Sequence, residues 1–269
     1  EYIPGDETSF TIIAFPVPAI GELFPEIFKE TIRINTLDYE LYRDMQQKII
    51  DVLDTAEYVE ITGKGENQTN MQVQLAAISN PEKQTKFENC VADVNIPLGE
   101  VFTSPKLAGT NGILNVGTVY IGDIQYRNLR MEFKDGRVVS AVCDNFVENG
   151  VIDQEAGHRL IVQGIMNGHE TLPLGEFAIG TNTTAYAMAE KFGILDRLPI
   201  LIVEKMGPHF AVGDTCYSWS EDSPMYNPDG KEMIARDNEV SILRKEDVSK
   251  AYFGVHTDIT IPYKELERI

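Results

Sequence analysis

Apolar and polar positions in the first seventy residues follow the pattern of a strand, two helices and a second strand. The apolar run at residues 9–15 predicts a buried strand, and helices are predicted at residues 20–34 and 36–56. Apolar residues recur every four positions along the second helix and predict one buried stripe: Leu37, Leu41, Met45, Ile49 and Leu53. With a strand at residues 58–62, this order indicates an α/β segment whose earlier part is missing.

Beyond residue 70 the pattern becomes mainly that of β-strands. Residues 71–75 alternate with period two, and a hairpin is predicted at residues 127–142 because Asp135-Gly136 is a favoured two-residue turn. Helices are predicted at residues 153–167 and 184–194. Further strands are predicted at residues 113–121, 174–180, 199–204, 208–213 and 252–262.

Together these elements predict a fold class of α/β plus α+β. Residues 1–70 are predicted to be the remainder of a truncated α/β N-terminal domain. Residues 71–269 are predicted to form a second, β-rich mixed domain.

The charge balance limits the classes of partner. The chain carries 42 acidic and 23 basic residues, for a net charge of −19, and such a surface repels phosphate backbones and anionic lipid. We therefore expect no nucleic-acid partner. No membrane partner is expected either, because no apolar run reaches the length of a membrane span. The acidity suits a site that collects cations, and it equally suits simple solubility.

The three cysteines indicate a reducing environment. Cys90, Cys143 and Cys216 are far apart and form no CxxC pair, so neither a thiolate zinc site nor a disulfide framework is predicted. A cytoplasmic location fits this usage best.

Four short segments carry side chains that could bind metal. Glu100 follows Pro97-Leu-Gly, and Glu176 repeats the Gly-Glu-apolar pattern inside an apolar strand, where a carboxylate needs a cation or an arginine as partner. Glu204 ends an apolar run five residues before His209, which follows a Gly-Pro turn. Taken singly, each acid could be an ordinary turn acid or ion-pair partner, and the histidine a structural donor.

The fourth segment is Val255-His-Thr-Asp-Ile259. Residues two apart in a strand point to the same face, so His256 and Asp258 can face one group of cations. Combined with the first three segments, they give three carboxylates and two imidazoles. Such a set suits zinc, cobalt or manganese, and it contains enough acids for one to bridge two ions. Which acid bridges stays open.

These segments, in this order, resemble the aminopeptidase T / aminopeptidase S family, the thermophilic-type leucyl aminopeptidases, from about residue 10 to the end. The most specific part is Gly99-Glu-Val-Phe-Thr-Ser-Pro105. The family consists of cytoplasmic, typically homodimeric, dinuclear metallo-aminopeptidases with an α/β N-terminal domain and a metal-bearing C-terminal domain. The resemblance implies that residues 71–269 form the metal-binding catalytic domain.

The resemblance also implies roles for individual residues. It makes Glu204 a catalytic acid/base, and Tyr217 a contact to the substrate or transition state. The family tyrosine lies one residue closer to its histidine than Tyr217 lies to His209. The implied metal ligands are Glu100, Glu176, His209, His256 and Asp258.

The expected function is hydrolysis of N-terminal residues from a peptide substrate by water activated at two divalent metal ions, zinc, cobalt or manganese. Two alternatives stay open. One is a different dinuclear metallohydrolase, such as an amidase or phosphoesterase. The other is a catalytically inactive fragment of the family.

Overall fold

A computed structural model describes the chain at residue 8, residues 10–92 and residues 94–269. In these residues the α-helices are Phe24–Asn35 (α1), Tyr39–Leu53 (α2), Gln154–Gly164 (α3), Thr183–Phe192 (α4) and Ile200–Val203 (α5). The strands are Ile12–Ile13 (β1), Tyr58–Gly63 (β2), Asn70–Gln74 (β3), Gln84–Thr85 (β4), Glu88–Cys90 (β5), Asn95–Ile96 (β6), Glu100–Thr103 (β7), Lys106–Ile121 (β8), Ile124–Lys134 (β9), Arg137–Val142 (β10), Val147–Glu148 (β11), Val151–Ile152 (β12), Leu174–Gly180 (β13), Pro208–Gly213 (β14), Glu232–Met233 (β15), His256–Thr260 (β16) and Leu266–Arg268 (β17). None of these helices is long and apolar enough to cross a bilayer.

Sheet 1 is antiparallel, with strand order β10-β9-β8-β3-β2-β17 among the described residues. Its β9–β10 hairpin turns at Asp135 and Gly136, both of which have positive φ angles, 45° and 67°. Two positive φ angles are what a tight two-residue hairpin turn requires. The hairpin predicted at this dipeptide is therefore confirmed.

Sheet 2 is also antiparallel, with strand order β16-β14-β13-β7-β5. One apolar cluster contains Val73 and Leu114 from sheet 1 together with Phe177 and Phe210 from sheet 2. Both sheets therefore pack against the same core. The result is a mixed fold with several sheets and few helices, of the α+β kind.

Helix α2 buries a face that agrees with the predicted apolar stripe at Leu53 but not along its first half. Leu41 is 63% exposed and Met45 37% exposed, and the stripe prediction is wrong at both positions. The helix instead buries Tyr42, Gln46, Ile50 and Leu53. Gln46 tolerates burial because its amide donates hydrogen bonds to the Asn89 side chain (2.7 Å) and the Cys90 carbonyl (3.1 Å) on β5.

Two predicted strands are wrong in whole or in part. Of the strand predicted at 199–204, residues 200–204 are helical, as α5 and the start of a 3₁₀ helix at Glu204–Met206. The prediction is wrong because a short apolar run does not distinguish a buried helix from a strand. Of the run at 9–15, only Ile12–Ile13 is a strand, and both residues are 44% exposed. Ser9 lies outside the described residues.

The predicted domain boundary at residue 70 falls inside a hairpin. Strands β2 and β3 pair antiparallel, with Ile61 opposite Met71. Both residues belong to the common core. A division of the chain into domains at this position stays a prediction.

Candidate metal centre

The register of sheet 2 places the five predicted ligands on one face. Glu100 pairs with Gly180, His209 with Ala178, and both Glu176 and Asp258 with Ala211. Directly opposed residues of antiparallel strands share a face. His256 joins them because it pairs with Gly213. The floor beneath the charged groups consists of glycine and alanine, which leave room above the sheet.

A β-bulge at Gly175 directs Glu176 to this face. Leu174 pairs with Val212 and Glu176 with Ala211, so β13 has one residue more than β14 between these pairs. In a regular strand, Leu174 and Glu176 would point the same way; the bulge sends Leu174 into the core and Glu176 into the site. Glycine is required here, because a Cβ at position 175 would overlap the backbone oxygen of Asp214.

Glu176 connects the two histidines. Its Oε1 lies 3.5 Å from His209 Nε2, and its Oε2 lies 3.1 Å from His256 Nε2. On the outer sides, Glu100 Oε2 lies 3.4 Å from His209 Nε2, and Asp258 Oδ1 lies 3.5 Å from His256 Nε2. The five side chains thus form a continuous series with Glu176 in the middle.

The donor set fits divalent cations. Glu100 Oε2 and Asp258 Oδ1 are buried and accept no hydrogen bond from the described residues, which is costly for a carboxylate oxygen. His256 Nδ1 bonds to the Asp214 carbonyl oxygen at 2.7 Å, and this contact fixes the tautomer that directs Nε2 towards the carboxylates. Buried carboxylate oxygens beside oriented imidazole nitrogens are the ligands that zinc and similar metals use.

The acidic and imidazole groups of the site shift one another's pKa values. Burial opposes a charged His209, but its hydrogen bond to Glu176 and the nearby carboxylates raise the pKa of His209 to about 10. Burial likewise opposes ionisation of Glu176, but hydrogen bonds from His209 and His256 hold the pKa of Glu176 well below its usual value. The metal-free site therefore contains imidazolium ions paired with carboxylates, and a metal ion has to displace their protons.

Glu204 lies beside the ligand series, in the 3₁₀ helix that precedes β14. Burial raises the pKa of Glu204 to about 7; Glu100 and Asp258 add to the increase and Lys205 opposes it. A carboxylate with a pKa near neutrality can exchange protons at physiological pH. The apolar run that Glu204 ends is helical, as α5, and the Glu204 carboxylate itself is buried.

Lys205 is a functional candidate that the sequence analysis missed. Its side chain is completely buried and donates hydrogen bonds to Glu100 and to Glu204, the latter at 2.8 Å. Lys205 therefore holds Glu204, the predicted acid/base, next to Glu100, one of the predicted metal ligands. The sequence does contain a signal: Lys205 lies between an apolar run and a Gly-Pro turn. A lysine in such surroundings is rarely buried unless an acid pairs with it.

Tyr217 lies in the wall of the cavity above the site. Its ring packs on Phe102, with centroids 5.8 Å apart, and its hydroxyl donates a hydrogen bond to Glu88. The cavity has a volume of about 670 Å³ and is lined by Glu100, Glu176, Glu204, His209, Tyr217 and His256 among others. It can accept a substrate of several residues next to the ligand series.

The sequence pattern of a known family, described as thermophilic metalloprotease (M29), matches residues 1–220. The chain belongs to this family. The matched M29 region contains Glu100, Glu176, Glu204 and His209, whereas His256 and Asp258 lie beyond it. These last two are brought next to the matched region by the pairing of β14 with β16.

Two solved structures resemble this chain at low sequence identity. Wild-type AmpT from Thermus thermophilus is 17% identical and matches 93% of this chain with a TM-score of 0.54. The chain spans 55% of AmpT's length. 2,5-Dihydroxypyridine dioxygenase from Pseudomonas putida KT2440 is 14% identical, with 88% and 57% of the two chains covered, and its TM-score of 0.47 is too low to support an inference. No curated protein sequence matches the chain.

Proposed function

We propose that this chain is the metal-bearing part of a two-metal aminopeptidase that removes N-terminal residues from peptides. The observation that carries the proposal is the central position of Glu176 between two histidines. Ligand atoms of Glu100, Glu176 and His209 lie close enough together to surround one cation. Glu176 and His256 mark a second position, and we assign Asp258 to it because its Oδ1 lies 3.5 Å from His256 Nε2. Glu176 is then the carboxylate shared by both positions, and its central place supports it as the bridging acid.

Two divalent ions bound there would make a water molecule acidic and polarise the scissile carbonyl. Glu204 is the group that accepts the proton of the attacking water and returns it to the leaving nitrogen. Its pKa of about 7 suits both directions of transfer. Lys205 holds the Glu204 carboxylate in place, and Tyr217 contacts the substrate from the cavity wall.

The test is a substrate panel assayed after reconstitution with zinc, cobalt or manganese. It contains amino-acid p-nitroanilides, their N-acetylated forms and p-nitrophenyl phosphate. We expect cleavage of the anilides with a free amine only, and complete loss of that cleavage after chelation. Cleavage of the phosphate ester, or of acetylated and free anilides alike, would favour the other class of metallohydrolase.

Metal analysis of the reconstituted protein tests the other alternative, a catalytically inactive fragment. Because the chain spans about half the length of AmpT, the activity of the whole protein is part of the proposal. Metal analysis that finds no divalent ion after reconstitution would indicate a fragment without a working site. The homodimeric state, the cytoplasmic location and the absence of nucleic-acid or membrane partners stay predictions; sedimentation of the purified protein tests the first.

A further inference from the structure

Cys216 lies at the metal site although the sequence analysis excluded a thiolate ligand. Its sulfur, a nitrogen of His256 and a carboxylate oxygen of Glu176 all lie within 4.8 Å of one another. Such a triangle is small enough for the three atoms to contact one ion. The spacing rule for cysteine pairs missed it because the other two ligands come from different strands.

The chain around Cys216 is fixed by hydrogen bonds. The Thr215 carbonyl accepts from the Ser218 backbone N–H (3.1 Å) and from the Ser218 hydroxyl (2.8 Å), which closes a turn around Cys216. On the preceding side, the Asp214 carbonyl oxygen contacts His256 Nδ1. Cys216 and its imidazole neighbour are therefore held by one short backbone segment.

Cys216 and Tyr217 have different surroundings. Tyr217 is buried in an apolar cluster with Phe102, whereas Cys216 is exposed to solvent. Cys216 also lines the cavity, so an ion that enters the cavity can reach it. A second observation points to a cation beside the same imidazole: Asp258 Oδ1, on a side chain that is only 10% exposed, accepts no hydrogen bond from the described residues and lies 3.5 Å from His256 Nε2.

We propose that Cys216 is an additional ligand of the cation position formed by Glu176, His256 and Asp258. The inference rests on the proposed two-metal function. On binding, the thiol loses its proton to solvent and the sulfur bonds to the metal as thiolate. A sulfur donor makes this position softer than the one at Glu100 and His209, so it favours zinc or cobalt over manganese.

The main experiment loads the full chain with Co²⁺ and records its absorption spectrum. We expect a sulfur-to-cobalt charge-transfer band in the near ultraviolet in the wild type. Cys216→Ser should lose this band while its visible cobalt bands persist. Cys90→Ser is the matched control. Cys90 also lines the cavity, but it pairs with Glu100 at the other cation position, so the Cys90→Ser variant should keep the band.

A second measurement uses the unmodified protein. Cys216 is alkylated with N-ethylmaleimide in the presence and absence of saturating zinc, and the modified peptide is quantified by mass spectrometry. We expect zinc to slow the modification by at least about tenfold, because a metal-bound thiolate is not free to react.

The outcomes separate this inference from the proposed function. Bound cobalt without the near-ultraviolet band, a band that persists in Cys216→Ser, or alkylation at an unchanged rate under saturating zinc would overturn the role of Cys216 alone. Failure of the wild type to bind cobalt or zinc would overturn the two-metal site and this inference together.

Discussion

The two faces of sheet 2 are built from alternate residues of the same strands and yet have opposite chemistry. Phe177 and Phe210 oppose each other on the face that enters the core, with ring centroids 5.3 Å apart. Glu176 and His209 directly precede these two phenylalanines, and Asp258 directly precedes Ile259, which pairs with Phe210. All three charged side chains project from the other face. Successive side chains of a strand point to opposite faces, and the bulge at Gly175 shifts this alternation by one residue. This alternation therefore decides which side chains enter the core and which enter the site.

The apolar face supplies stability and the charged face supplies chemistry. Burial of apolar surface favours folding, whereas burial of several charges in a small volume gives little net stabilisation even when the charges are paired. We therefore expect substitutions on the apolar face to alter the free energy of unfolding. Those on the charged face should alter metal affinity and turnover.

The largest effect is expected from Phe210→Ala on the apolar face. The ring is fully buried, and its removal leaves a cavity between Phe177 and the rest of the core. The free energy of unfolding should fall by about 3–5 kcal/mol. Urea denaturation in the presence of a chelator measures it, and Phe210→Leu, which keeps most of the volume, should lose clearly less. A loss in Phe210→Ala as small as in the leucine variant would contradict the assignment of this face.

Glu204→Gln on the charged side should leave the fold intact but reduce turnover by about 10²-fold or more, the usual span for loss of a general acid–base group. The amide keeps the size and polarity of the side chain but cannot accept the proton. Turnover of an amino-acid p-nitroanilide and metal content measured on the same sample give the result.

Glu176→Gln is the comparison variant for Glu204→Gln. Because Glu176 lies between both histidines, its replacement should lower metal occupancy together with turnover. Loss of metal in Glu204→Gln would move Glu204 into the ligand set. Near wild-type turnover in that variant would remove its catalytic role.

Gly175→Ala tests the bulge that separates the two faces. The added Cβ overlaps the Asp214 carbonyl oxygen, which orients His256, so metal affinity should fall by about 10–100-fold, as is usual when a supporting contact is lost. Competition with a chelating dye measures the affinity. Gly117→Ala is the control, because its Cβ would meet only the Glu265 side chain at 3.4 Å. Equal affinities in the two variants would show that the bulge does not position His256.

The effect of pH is the smallest one when it is expressed for a single pH unit. His209 has its pKa raised to about 10 in the metal-free site, so it is protonated at neutral pH and must release that proton to bind metal. Metal affinity should therefore rise with pH below about 10, by about tenfold per unit for each proton displaced. Dye competition between pH 6 and 9 tests this, and calorimetry in buffers of different ionisation enthalpy counts the protons.

The raised pKa of His209 also determines how the stability of the metal-free fold changes with pH. A raised histidine pKa stabilises the metal-free fold fully below the unfolded value of 6.5, and this contribution is lost as pH rises through about 10. His209→Gln should abolish that part of the pH dependence of unfolding. Metal affinity that does not change with pH would contradict the imidazolium–carboxylate description of the empty site.

The local sequence pattern was sufficient to predict whether many segments form a helix or a strand. Alternation predicted β3, the Asp135-Gly136 dipeptide predicted the β9–β10 hairpin, and the Gly-Glu-apolar segment was recognised as β13. Short motifs also identified the residues that converge at the site, because a carboxylate or imidazole in an apolar strand requires a partner wherever that strand lies. The sequence therefore determined many of the strands, the candidate ligands and, through its resemblance, the family; β5 and β7 of sheet 2 were not predicted.

Tertiary structure decided which faces these elements bury. A four-residue repeat along α2 could not show that Gln46 would be buried, because its partner Asn89 lies 43 positions away on β5. Nor could local sequence reveal that Lys205 bridges Glu100 and Glu204, or that Cys216 approaches Glu176 and His256. These arrangements depend on strand register and on one bulge. Periodicity reports the geometry of an element, whereas contacts between distant residues form only when the whole chain has packed.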